Sequence, residues 1–555
     1  MTAADTEHTP LVRRAANSHA HTSEMPPMRV LMPVCAALWT MTFTASLDGT
    51  IAAMLLGSIS ASFNSSEQAA WIGSIYLLAV CCVSPLYGRL GDIIGRKRSF
   101  IAAEVLFLVG TIWCACARSM AEFLAARLVT GLGGGGLSTI ASVILSHMIP
   151  LKNRGVFQGL TNIVFGLGTG TGAPLGGWIN DAVGWRGAFY IQVPVLIIAV
   201  ALTVACIDAD EPDESGTPLH VRLARNVDFG GIALFITMLL SALYAIAHIG
   251  EGNWFADPWM ALSTVLAVVA LVAFYLWEAR VASMPVMLVD ILHERTGGSV
   301  CWNNFFLSFA AFAYSYQFPL FFQTVGGLSP AVIGTRMIPS SVLLSTGSVL
   351  AGVYMQRTGR YYHYTVTCAA AAVMSMVPTL FFGANPPLVM PFVYNMVLSF
   401  SQAGVLTCTL IALINCVSRE HVGVSTGMSY LFRTTGQVLG VSLTGEIMQF
   451  TLSNALKKRV TGPDAQQIID AVRHKSTIVH TLPEPLRTLV VESYAIALHY
   501  VFLIVILSYF FSFAAATLIR DVPLATNQTD KRIREAINEE GETHVENYTT
   551  TQRAS

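Results

Sequence analysis

Asp48 is the residue that most invites a chemical reading, a carboxylate within SLDGTIAAM inside the apolar stretch 31-56. A charge in hydrocarbon costs roughly 2.5–3.5 kcal/mol on insertion scales, so it faces a partner or a cavity, and such carboxylates relay protons in pumps and transporters. Its bland alternative is a packing residue bonded to Thr44 or Thr50. Arg127 lies seven residues into the apolar stretch 120-148, about 10 Å deep at 1.5 Å per residue. Glu104, in 99-117, is a second carboxylate unless it snorkels to the interface. Arg433, about ten residues into 423-451, is a second cation suited to a counter-ion or substrate role. Uncharged polar residues, Gln158 and Asn162 in one stretch and Asn303, Asn304, Tyr316 and Gln317 in another, are candidates to line a cavity.

Other chemistry finds no support. The ten cysteines are scattered, with Cys81 beside Cys82 and Cys114 one residue from Cys116, and no CxxC or HExxH occurs. Neither a metal site nor a redox pair is therefore expected. GLGGGG at 131-136 contains GxGxxG, but it lies inside an apolar stretch with no strand before it, the wrong context for a dinucleotide. No nucleophile–base pair is apparent. The expectation is a protein that is not an enzyme and holds no cofactor.

The elements that must position these residues follow from composition. Of 555 residues, 54% are apolar and 12% charged, against roughly 25% charged in soluble domains. Mean hydropathy is +0.58. A net charge of -1 offers no basic face for nucleic acid. A membrane helix needs about 20 mostly apolar residues. Fourteen stretches qualify: 31-56, 68-88, 99-117, 120-148, 155-180, 187-207, 228-249, 257-277, 299-323, 331-355, 363-383, 388-414, 423-451 and 493-519. The first is too long and too far along the chain for a cleaved signal peptide. With both tails cytosolic, 21 of the 32 Lys and Arg residues fall on the cytosolic side, as the positive-inside rule asks. The expected organisation is a tail (1-30), a six-helix bundle (31-207), a charged linker (208-227), a helix pair (228-277), a second six-helix bundle (278-519) and a tail (520-555). The second bundle includes a non-cytosolic loop, 452-492, with a short amphipathic helix near PDAQQIIDAV.

The number fourteen is explained by an internal repeat. Glycines 155, 159, 168 and 172 recur at 423, 427, 436 and 440, all at one common offset. Gly88, Gly95 and Arg96 recur as Gly352, Gly359 and Arg360, again at a shared offset, slightly shorter than the first. Both steps cross eight helices, as expected of two six-helix halves with a pair inserted between them.

Two segments then carry a family resemblance. GRLGDIIGRKRSF (88-100), placed between the second and third spans, offers Gly88 and Gly95 for a tight turn and Asp92 to pair with Arg96 or Lys97 as two halves rock. It resembles the signature loop of the major facilitator superfamily, GxLaDrxGrkxxl, with Gly91 and Ile93 as departures; the second copy has Gln356 in the place of Asp92. RGVFQGLTNIVFGLGTGTGAPLGGWI (154-179) resembles the superfamily's antiporter motif through Gly159, Gly168, Gly172, Pro174, Gly176 and Gly177. SLDGTIAAM is similar to the DxTIV signature. With fourteen spans, the chain resembles the branch of drug:proton antiporters. The resemblance implies an all-α membrane protein of the major facilitator fold, energised by a proton gradient. In related antiporters an arginine placed as Arg127 is followed by xxQG and takes part in proton coupling; here Thr130 stands in place of the glutamine.

SHMIPLKNRGVFQGLTNIVFGLG, GAPLGG, GWRGAFYIQVP, FPLFFQTVGGLSP and TGRYYHY look like vacuolar basic amino acid permeases of yeasts, over most of residues 30-450. This implies uptake of lysine, arginine or histidine into the vacuole, driven by protons leaving. A plasma-membrane multidrug:proton antiporter shares every motif and is the rival reading. A non-transporting nutrient sensor fits less well, since such sensors carry an enlarged tail. EHTPLV (7-12) has the spacing of an acidic dileucine sorting signal, with Val12 at its last position, and Asn64 begins a sequon close to the membrane.

Overall fold

The computed structural model of the chain describes residues 26–63, 65, 69–207, 228–248, 257–282, 285–328, 330–383, 389–417, 421–460, 465–474, 479, 482–484 and 486–524. Residues 7-12, the linker 208-227 and Asn64 lie outside these, as does the side chain of Asp92. Among the described residues there is no strand. The first long helices are α1 (Met28–Met54), α2 (Ala69–Ile94), α3 (Arg96–Cys116), α4 (Met120–Met148) and α5 (Leu151–Val183). Next come α6 (Trp185–Cys206, interrupted at Ile191), α7 (Phe229–Ala247), α8 (Pro258–Arg280), α9 (Arg295–Thr324) and α10 (Pro330–Thr358). The last are α11 (Tyr362–Phe381, ending in a 3₁₀ turn), α12 (Met390–Cys416), α13 (Val422–Arg459) and α14 (Leu486–Leu518).

Twelve of these are long and apolar enough to cross a membrane. The other two, α5 and α13, have the length, 33 and 38 residues, but carry glycine, serine and threonine where the others carry leucine and valine. They are the two repeat helices. A residue that faces another helix needs to be small, not apolar, so their interior position shows as lowered hydropathy.

Helix ends follow local chemistry. Ser119 caps α4 by accepting the Glu122 N–H at 3.2 Å, while Glu122 Oε2 accepts the Arg118 N–H at 2.9 Å, a variant of the capping box. Asp228 and Asp257 cap α7 and α8. The segment 88-100, expected as a loop, is helical except at Gly95, whose φ of 93° breaks α2 from α3. Its repeat partner Gly359 has φ 67°; both occupy backbone space that L side chains resist. The expected loop 452-492 is shorter than its bounds, because α13 runs to Arg459 and α14 starts at Leu486. Leu452, Leu456 and Val490 pack in one apolar cluster and keep those extra turns folded. The amphipathic helix is present at Ala465–His474 and turns Ile469 and Val472 into the same cluster.

α1–α6 form one bundle and α9–α14 another. The pair α7–α8 packs on the outside, with only 22% of the most apolar window of α8 buried against 78% for α4. The bundles meet along two seams, α5 against α10 and α2 against α13. Both seams are built from the repeat glycines. A Cβ on Gly88 would stand 2.8 Å from the Gly423 carbonyl, and one on Gly155 3.0 Å from the Gly352 Cα. A Cβ on Gly427 would stand 3.4 Å from the Pro85 Cα, and one on Gly159 2.8 Å from the Val349 Cα. Positions that repeat in sequence thus cross-pair in space, 88 with 423 and 352 with 155. That is the signature of a two-fold relation between halves.

Candidate functional site

α1 and α4 bring Asp48 and Arg127 together. Arg127 Nη1 donates to Asp48 Oδ2 at 2.7 Å, with the two side chains 1% and 0% exposed. The guanidinium also lies over the Tyr76 ring of α2, 4.6 Å from its centroid. The threonines that could have satisfied Asp48 are engaged with the backbone instead: Thr44 donates to the Thr40 carbonyl and Thr50 to those of Ser46 and Leu47. Thr130, in the glutamine's place, donates to the Ala126 carbonyl at 2.9 Å. Asp48 Oδ1 and Arg127 Nε are left with no hydrogen-bond partner among the described residues. Attraction between such charges is strong in a low dielectric, yet the pair is not fully satisfied. A proton on Asp48 would cancel it.

α4 is held against its neighbours by glycine. A Cβ on Gly131 would stand 2.6 Å from the Tyr76 carbonyl, and one on Gly133 2.6 Å from that of Ala103. GLGGGG is therefore a close-packing surface on which α2 and α3 lie, not a nucleotide loop. Farther along α4, Ser142 and Tyr430 of α13 are joined through their hydroxyls at 2.8 Å.

Tyr430 opens onto a polar cavity between the halves. Gln158 and Asn162 of α5, Asn304 of α9, and Ser429, Tyr430 and Arg433 of α13 line a space of about 30 Å³, room for a water or two. Leu406 and Leu410 of α12 complete it. Asn162 Nδ2 donates to Ser348 Oγ at 2.7 Å, crossing from one half to the other. Asn304 is held by Ser429 (2.9 Å) and Thr409 (3.1 Å). The space is too small for a solute of amino acid size.

The remaining expected residues lie outside this cavity lining. Glu104 does not snorkel: it is buried between α3 and α6, accepting from Thr203 at 2.7 Å, with Oε2 unpartnered among the described residues. Asn303 bonds Ser512 inside the second bundle, and Gln317 is buried with its Oε1 likewise unpartnered; neither lines the cavity. In the signature segment, Lys97 donates to the Val204 carbonyl at 2.8 Å, and Arg96 Nε has no hydrogen-bond partner among the described residues. The antiporter-motif glycines serve two faces of α5. Gly159 meets α10, whereas a Cβ on Gly172 would stand 2.9 Å from the Leu47 carbonyl of α1, and Gly168 packs likewise on Phe43. Gly176 and Gly177 lie more loosely against Ile51 and Met54, and Pro174 is exposed within the helix. Trp185 is buried against Phe123 and Phe189 with its Nε1 donating to Ser62. Tyr76 and Tyr430 were not singled out by the sequence, although Tyr430 follows Asn162 at the same offset that separates the glycines of α5 and α13.

Comparison with known proteins agrees with this architecture. Multidrug resistance protein fnx1 of Schizosaccharomyces pombe is 35% identical over 89% of this chain and 93% of its own length. The vacuolar membrane amino acid uptake transporter fnx2 of the same yeast is 32% identical over 86% and 82%. Vacuolar basic amino acid transporter 1 of Saccharomyces cerevisiae is 29% identical over 76% and 79%. In fold, the chain is similar to the proton:xylose symporter XylE (TM-score 0.56, 14% identity, 91% of this chain and 99% of that one). It is also similar to the human organic anion transporter MFSD10 (0.55, 15%, 88% and 100%). A family model described as Major Facilitator Superfamily matches residues 38–441. Two glycine-seamed bundles around a central polar cavity, with relatives matched over most of their length, make this chain a multi-pass membrane transporter that belongs to the Major Facilitator Superfamily.

Proposed function

We propose that the protein exchanges amino acids, basic ones foremost, for protons across the fungal vacuolar membrane by alternating access, with both termini cytosolic. The observation that carries the reading is the buried Asp48–Arg127 pair with one oxygen and one N–H left over. The names of the relatives in S. pombe and S. cerevisiae support the substrate and the compartment.

The pair acts as the proton switch. Protonated Asp48 loses its hold on Arg127, and the guanidinium then rests on Tyr76 alone. α4 carries the change: Arg127 sits near one end and Ser142, bonded to Tyr430 of the cavity, fifteen residues on, about 22 Å at 1.5 Å per residue. A rigid helix with two settings at the ion pair therefore has two settings at the cavity. The coupling is indirect, without direct competition of proton and substrate for Asp48, because Asp48 is fully buried against Arg127 and the cavity is lined from α5, α9, α12 and α13.

Lysine uptake into sealed vacuolar vesicles with an imposed pH gradient tests the reading. Asp48→Asn should lower gradient-driven uptake at least tenfold at unchanged protein abundance, while lysine–lysine exchange without a gradient persists. Undiminished gradient-driven uptake would remove Asp48 from the switch. The second reading, a multidrug:proton antiporter of the plasma membrane, is favoured by the name of the 35% identical relative. It expects cell-surface fluorescence of a tagged chain and no amino acid uptake in any vesicle.

A further inference from the structure

We propose that Arg433 anchors the carboxylate of the transported amino acid, an assignment that rests on the amino acid reading and names the group by which the cavity selects its ligand. Arg433 lies eleven residues into α13, about 16 Å along the helix, and is half-buried at the wall of the central cavity. Arg127 has Asp48, and Arg360, Arg459 and Arg487 have Asp521, Glu492 and Glu484. Arg433 has no carboxylate in ion-pair range among the described residues; its guanidinium faces the Tyr430 ring, 5.7 Å from the centroid. A cation inside a membrane protein is tolerated when it is paired or lines a solute path. This one lines the path and lacks the anion.

The chemistry around it specifies which anion. A guanidinium presents a planar fork that matches a carboxylate through two parallel hydrogen bonds. Asn162 spends its Nδ2 on Ser348, which leaves its carbonyl oxygen to accept from an ammonium. Leu406 and Leu410 supply an apolar wall for an aliphatic stem. Carboxylate, ammonium and stem are the three parts of a lysine-like zwitterion. A hydrophobic cation without a carboxylate would meet Arg433 as a like charge, which the site would reject.

The test compares lysine with lysine amide and with the diamine left by its decarboxylation, both lacking the carboxylate, as competitors of labelled lysine uptake into vesicles holding the full chain. The wild type should prefer lysine at least tenfold over either. Arg433→Gln should bring that ratio to about one, and Arg433→Lys, which keeps the charge and loses the fork, to a value between. If the variants fail to accumulate, the wild-type competition alone decides, because amide and diamine competing as well as lysine overturn the assignment. That outcome leaves amino acid transport standing. A wild type that takes up no amino acid removes the amino acid reading and this assignment together, so the two failures are told apart.

Discussion

Where α1 of the first half carries Asp48, α9 of the second half carries Ala310. The glycines of α5 and α13 fix that equivalence: Gly168 and Gly172 pack on the backbone of Phe43 and Leu47, and Gly436 and Gly440 on that of Phe305 and Phe309. The step from Phe43 to Phe305 equals that from Leu47 to Phe309, and the same step leads from Asp48 to Ala310. Where α4 carries Arg127 over Tyr76, α12 carries Asn395, which donates to Ser340 Oγ at 2.8 Å. Arg127 and Asn395 are separated as Gly155 and Gly423 are, and Tyr76 and Ser340 as Gly88 and Gly352 are. A charged triad in one half is a neutral hydrogen-bonded pair in the other. In the reverse direction, the first-half counterpart of Arg433, at the offset of the α5 and α13 glycines, is Phe165, which is 40% exposed.

Packing is therefore duplicated while chemistry is divided. Close helix approach is needed by both bundles if they are to rock about common seams, so glycine recurs at the seam positions 88 and 352, 155 and 423, 159 and 427, and at 168 and 436, 172 and 440. A buried charge is costly wherever it stands, and a single switch suffices to couple one proton path. The first half then holds the buried ion pair, and the second supplies the cation of the cavity.

The largest expected effect comes from giving the first half the residues of the second. Asp48→Ala alone strands a buried guanidinium, at a cost of about 3–5 kcal/mol, and should sharply lower the thermal stability of the purified protein. Asp48→Ala with Arg127→Asn removes both charges and should recover most of that stability, since a buried ion pair is often replaceable by neutral groups without net loss. Gradient-driven lysine uptake should stay absent in both. A double variant that remains proton-driven would show that the charged pair is not what distinguishes the halves.

Next in size is the seam, where the halves are expected to behave alike, with one instructive exception. A Cβ on Gly88 meets the Gly423 carbonyl at 2.8 Å, and a Cβ on Gly352 runs into the backbone of Gly155 and Val156. A Cβ on Gly155 meets first the end of the Met355 side chain, which can swing away. Overpacking of this kind costs about 1–3 kcal/mol, a shift of roughly 5- to 150-fold in a two-state equilibrium. Cys81 reports on it, being buried on α2 with its sulfur 3.3 Å from Thr435 Oγ1 across the seam. Maleimide labelling of Cys81, followed by mass spectrometry, should rise in Gly88→Ala and Gly352→Ala and rise less in Gly155→Ala. Equal labelling in all three would mean that the seams open by a route other than separation at these glycines.

Much of this arrangement is legible in the sequence. Apolar length picks out all fourteen helices, α5 and α13 included although their hydropathy is lowered by the contacts they make, and the glycine repeat accounts for the number. Asp48 and Arg127 stand out individually, because a charge in an apolar run is conspicuous. Their pairing does not, because residues 79 positions apart meet only through the tertiary packing of α1 on α4. Tyr76 and Tyr430 were hidden for the opposite reason: a tyrosine in a membrane helix is ordinary in composition and acquires its role from the neighbour it touches. Glu104 is left by the sequence between a buried carboxylate and a snorkelling one, because only the neighbouring helix decides: Thr203 on α6 closes over it.

The smallest effect should come from the second half's counterpart of Arg127. Asn395→Ala removes one neutral hydrogen bond to Ser340, worth about 1 kcal/mol, and leaves a hydroxyl that can turn to its own helix backbone. Gradient-driven lysine uptake should remain within about twofold of the wild type, and the melting temperature should fall only slightly. Arg127→Ala, made in parallel, leaves Asp48 buried without its cation and should lose both coupling and stability. Because the two residues occupy equivalent places, their difference isolates what charge adds to an otherwise shared scaffold. A loss of uptake in Asn395→Ala as deep as in Arg127→Ala would place a second coupling element in the second half, one that acts through a hydrogen bond and carries no charge.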